Sequence, residues 1–108
     1  MSTVAERVAR GAALLDEKVP GWERRINLEW LDIASCYFCV LGQVFDDDER
    51  ASTDDLDSPY SAGIRALGIE GGVRGTVWHG FDGLHIDALN AAWRRLVADR
   101  QAVLAATA

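Results

Sequence analysis

Apolar residues recur at helical spacing in three stretches of this chain, and glycine, proline and acidic residues fill the gaps between them. Val4, Val8, Ala12 and Leu15 make one apolar stripe, the pattern of a helix with a single buried face. Thr3 and Glu6 have the spacing of a capping box, and Arg7, Arg10, Asp16 and Glu17 are expected to face water. Gly11 permits close packing, and Pro20-Gly21 stops the helix. A second helix is predicted from Ser58 as cap and Pro59 at the first helical position, with Tyr60, Ile64 and Leu67 buried. Gly68 fits a left-handed cap, with Ile69 folded back onto Ile64. The third is predicted from Asp87 as cap, with Leu89, Trp93, Leu96, Arg100, Val103 and Leu104 on its period. Arg94 and Arg95 point away, and Arg100 lays its stem along apolar surface.

The rest is harder to phase. Residues 22–45 are densely apolar. Asn27 reads as a helix cap, with Ile26 and Leu31 as its hydrophobic staple and Leu28, Leu31 and Trp30 packing inward. Ser35 then caps a short helix carrying Phe38, Cys39, Val40 and Leu41, loosened at its end by Gly42; a buried strand over 37–41 is the rival reading. Residues 70–84 hold five glycines and read as a loop or short hairpin, with Thr76-Val77-Trp78 as strand and Asp82-Gly83 as turn. The expected fold is therefore mainly α: a single domain over 1–108, a compact bundle of four to five helices with a glycine-rich loop or small β-hairpin before the C-terminal helix.

Charge changes this picture at one place. The chain of 108 residues has a formal net charge of -6. Residues 46–57, DDDERASTDDLD, hold that whole imbalance and almost nothing apolar, so they read as a mobile acidic loop. A net negative chain is not expected to bind nucleic acid directly. No run approaches the roughly 18 apolar residues of a membrane span. No secretory signal pattern is seen, so a cytoplasmic location is expected, with Cys36 and Cys39 reduced.

Candidate chemistry is sparse. Cys36-x-x-Cys39 with His79 and His85 could in principle supply four zinc ligands. The cysteines sit among Tyr37, Phe38 and Val40, and the histidines have no matching spacing, so structural cysteines and no metal are expected. A redox CxxC wants a strand before it and a helix after it, and neither is evident. Asp46, Asp48, Arg50 and Asp57 follow an EF-hand count, but Arg50 and Ala51 break it. Cys39 or Ser61 as a nucleophile lacks a local histidine base, and no GxxxxGKS/T phosphate loop occurs. No catalytic residue and no cofactor are expected.

The tryptophans carry more. Trp30 and Trp93 read as core, and Trp22 as a cover over one end of it. Trp78, His79 and Phe81 lie in the glycine-rich loop, where they are either displayed as a partner-binding hot spot or folded back into the core.

The strings GAALLDEKVPGWERRINLEWLDI, CVLGQVF, YSAGIRALGI, HGF and LNAAWRRLV together span most of the chain. In combination they resemble small uncharacterised proteins encoded by actinobacteriophages and prophage-bearing actinobacteria. That resemblance implies a bacterial cytoplasm and a phage accessory role, and it transfers no catalytic or binding residue. The acidic run between VLGQVF and SPY is longer than the group's pattern. The expected function is a non-enzymatic protein-interaction module binding a bacterial host or phage protein, with homodimer formation as a further option. The alternatives are an acidic mimic of nucleic acid that inhibits a basic host protein, and a small metal-dependent enzyme.

Overall fold

The computed structural model describes residues 3–46 and 58–107. The described residues form α1 (Val4–Lys18), a 3-10 turn (Trp22–Arg25), α2 (Val40–Val44), α3 (Pro59–Leu67) and α4 (Ile86–Thr107), with no strand among them. The mainly helical class is as expected, and the hairpin is not. Residues 70–84 are a series of turns instead. Of the acidic run, 47–57 lie outside the described residues.

Helix α1 starts where its capping box predicts: the Glu6 N–H donates to Thr3 Oγ1 (3.1 Å) and the Thr3 N–H donates to Glu6 Oε1 (3.3 Å). Its buried stripe of Val8, Ala12 and Leu15 joins Leu89, Trp93 and Val97 of α4 in one core. Gly11 marks the closest approach: a Cβ there would run into the His79 carbonyl and the Trp93 ring. Helix α3 ends on Gly68, whose φ of 69° needs a residue free of Cβ strain. The Ile69 N–H closes the cap on the Ile64 carbonyl at 3.2 Å. Helices α2 and α3 pack on each other, with Gly63 against Phe45 and Leu41.

Helix α4 begins at Ile86, so Asp87 lies in its first turn rather than at the cap. A carboxylate there still faces the positive end of the helix dipole. Its buried line is Leu89, Trp93 and Val97, while Val103 is exposed. Beside that line runs a polar stripe that holds the irregular segment 22–39. Asn90 Oδ1 accepts the Ile33 N–H at 2.7 Å, and Arg94 Nη2 donates to the Leu31 carbonyl at 2.7 Å. Gln101 Nε2 donates to the Glu23 and Ile26 carbonyls at 2.9 and 2.8 Å. Arg94 is exposed and still reaches this backbone, because backbone without regular structure needs outside partners.

That segment departs most from expectation. No helix starts at Asn27. Its side chain accepts the Glu29 N–H at 3.0 Å and closes a local turn, although Ile26 and Leu31 are both buried. Ser35 also caps a turn, and the helix waits until Val40, with Cys39 as its cap through Sγ to the Gly42 N–H at 3.2 Å. Gly42 lies inside α2 and gives room to the Cys36 and Tyr37 backbone. The rival strand over 37–41 does not form. Trp22 is fully buried in the core, edge-on to Trp93 at 6.0 Å, with its indole N–H on Asp16 Oδ1 at 2.9 Å.

Candidate functional site

The loop expected to carry partner-binding residues is stitched to two helices. Arg7 of α1 donates through Nε to the Val77 carbonyl (2.8 Å) and through Nη2 to the Asp82 carbonyl (2.6 Å). Arg10 Nε donates to the Trp78 carbonyl (2.9 Å), and Trp93 Nε1 of α4 donates to the Gly80 carbonyl (2.7 Å). Inside the loop, fully buried Thr76 accepts the Gly72 N–H through Oγ1 and the Phe81 N–H through its carbonyl. Arg7 is buried as a consequence, which corrects its assignment to solvent. An amphipathic pattern counts a charge as outward, whereas these guanidiniums donate to carbonyls of a loop packed on the helix.

This stitching splits the expected trio. Phe81 is buried, stacked on Trp93 at 5.5 Å, and so cannot be displayed to a partner. His79 is partly buried beside it, stacked at 6.3 Å, with Nδ1 2.8 Å from the Gly75 carbonyl. A carbonyl only accepts, so Nδ1 carries a proton. Trp78 alone is substantially open, at 46% exposure, with the Arg10 guanidinium 3.6 Å over its ring. Arg10 Nη2 is enclosed without a hydrogen-bond partner and has the ring instead.

A second aromatic surface escaped sequence reading. Trp30 is 61% exposed, Tyr37 52% and Phe38 46%, which corrects the inward assignment of Trp30. Trp30 and Phe38 meet edge to face at 6.0 Å. They are brought together because the Asp32 N–H donates to the Phe38 carbonyl at 3.0 Å. Gln43 of α2 holds both ends of the segment: its Oε1 accepts the Asn27 N–H (2.6 Å) and its Nε2 donates to the Phe38 carbonyl (3.0 Å). The available signal was the series Asn27, Asp32 and Ser35. Each side chain accepts the backbone N–H two residues on, at 3.0, 3.0 and 3.2 Å. Residues that make such turns compete with helix and turn adjoining side chains outward.

The candidate catalytic groups are dispersed. Cys39 is buried, and burial pushes its thiol up to about 11 against the Gly42 N–H, with the neighbouring Cys36 thiol adding to the rise. Ser61 faces Ser58 at 3.2 Å rather than a histidine. His85 is exposed at the start of α4 with φ 68°. Among the described residues no three His, Cys, Asp or Glu side chains gather as a metal site. A cavity of about 160 Å³ lies beside Cys36, with Ser35, Tyr60 and Asp82 in its wall. Burial pushes the Tyr60 phenol up to about 12, against a hydrogen bond with Thr76, with the Asp82 carboxylate adding to the rise. Among the described residues no helix is long and apolar enough to cross a membrane.

No family model, no curated protein and no solved structure matches this chain. The resemblance to phage-encoded proteins rests on its sequence strings alone.

Proposed function

We propose that this chain is a non-enzymatic protein-interaction module, a phage or prophage accessory protein that docks a host or phage protein through Trp30, Tyr37 and Phe38. The observation that carries this reading is the exposure of three large aromatic side chains on a backbone already fixed by Gln43, Asn90 and Arg94. Aromatic anchors dominate protein interfaces, and a surface ordered before binding loses less entropy on docking. Glu29 and Asp32 are exposed in the same segment, so the partner surface that fits is apolar with basic groups at its rim.

Affinity capture from an actinobacterial lysate, followed by calorimetry with the purified captured protein, tests this reading. Trp30→Ala and Phe38→Ala should each weaken binding at least tenfold while leaving the melting temperature nearly unchanged. Unchanged affinity in both variants would overturn it. A second reading places the contact on Trp78 with His79. Its support is the half-exposed Trp78 ring held under Arg10. Trp78→Ala in the same titration separates the two surfaces.

A further inference from the structure

Cys36 and Cys39 stand at the two ends of one closed turn. The Cys39 N–H donates to the Ser35 carbonyl at 3.1 Å, and the Tyr37 and Phe38 N–H groups both donate to Ser35 Oγ at 3.2 and 3.1 Å. In a turn closed this way, helical geometry separates Cα atoms three residues apart by roughly 5 Å and puts their side chains on one face. A disulfide spans about 4.4–6.8 Å between Cα atoms, the range that such a turn offers. Helix α2 begins directly after Cys39, which caps it. It also fixes the turn: a Cβ on Gly42 would stand 2.6 Å from the Cys36 carbonyl oxygen. The two sulfurs differ in access. Cys36 is exposed and lines the cavity of about 160 Å³, whereas Cys39 is buried.

We propose that Cys36 and Cys39 form a thiol–disulfide exchange site, with Cys36 attacking a small organic disulfide and Cys39 resolving the product. The Cys36 thiol loses its proton to solvent, and its sulfur attacks one sulfur of the disulfide RSSR. The RS–SR bond breaks, a Cys36–S–SR bond forms and RS⁻ leaves. Cys39 then loses its proton and attacks the Cys36 sulfur, expelling the second RS⁻ and forming the Cys36–Cys39 bond. In sum, two protein thiols are oxidised and one RSSR is reduced to two RSH. The second step is internal, so the burial of Cys39 does not block it. The raised Cys39 thiol makes that step slow at neutral pH and faster in alkali.

The test is intact-protein mass spectrometry with peptide mapping after treatment with bis(2-hydroxyethyl) disulfide. The wild type should pass through a mixed disulfide to a monomer lighter by two hydrogen atoms, mapped to 36–39. Loss of the mixed disulfide should quicken about tenfold per pH unit between pH 7 and 9, as the thiolate fraction does. Cys39→Ser should stop at a lasting adduct on Cys36, and Cys36→Ser should react at neither position. A lasting adduct in the wild type, a covalent dimer or no reaction would each overturn the proposal. Mapping of the wild type alone decides it should either variant fold poorly.

Discussion

Trp93 and Trp30 have the same side chain and opposite fates. Trp93 lies between the faces of α1 and α4, stacked on Phe81, met by the Trp22 edge, with its N–H on the Gly80 carbonyl. Trp30 lies on a turn, beside the Phe38 ring and mostly exposed. The indole is amphipathic, so burial requires both apolar walls and an acceptor for its N–H. Trp93 receives both because Gly11 and Gly80 let the loop backbone close on the ring. The lesson is that aromatic content does not locate a binding surface. What separates anchor from core is whether neighbouring backbone offers the ring an enclosed site.

The strongest way to break this contrast is to truncate its buried side. Trp93→Ala and Phe81→Ala should each cost about 3–5 kcal/mol, a large share of a small domain's stability, read from urea unfolding. A loss near zero for Phe81→Ala would return that residue to the surface. Arg7→Met keeps the apolar stem and removes the donors to Val77 and Asp82. It should cost about 1–3 kcal/mol, because two loop carbonyls lose a charged donor, that of Val77 keeping only the Gly80 N–H. Hydrogen exchange should rise across 76–83 in that variant and stay unchanged in α2.

The alkaline limb sharpens the same comparison at the edge of the core. The Cys39 thiol is raised from 9.0 to about 11 by burial, and the folded state therefore holds its proton longer than the unfolded chain. Such a group contributes stability that is complete below the unfolded value and is lost as pH rises through the folded one. Between pH 9 and 11 the loss should be about 2 kcal/mol, followed by a further decline as Tyr60 titrates toward about 12. Cys39→Ser should flatten the first part of the curve. The smallest effects belong to the exposed rings: Trp30→Ala, Phe38→Ala and Trp78→Ala should each change stability by less than about 1 kcal/mol. A loss of several kcal/mol for Trp30→Ala would show that the turn segment depends on its ring.

Where local signals agreed, the chain was readable. Thr3 with Glu6, Ser58 with Pro59, and Gly68 with Ile69 each act within four or five residues, and all three ends form as their residues predict. The apolar stripe of α1 was legible for the same reason, since a helix repeats its buried face at a fixed spacing, whereas that of α4 was legible only at Leu89 and Trp93, its buried line going on to Val97 with Val103 exposed. The segment 22–39 was not, because beside its local turns several of its backbone groups bond to Gln43, Asn90, Arg94 and Gln101, which are distant in sequence from much of what they hold. The loop 70–84 was readable as glycine-rich and no further. Whether Phe81 or Trp78 turned inward depended on Arg7, Arg10 and Trp93 claiming the loop's carbonyls. Local caps and periodicities are therefore written in the sequence, because the atoms that satisfy them are neighbours along the chain. The fate of each aromatic ring was set by tertiary structure, because only packing brings together the donors, acceptors and apolar walls that decide whether water is excluded.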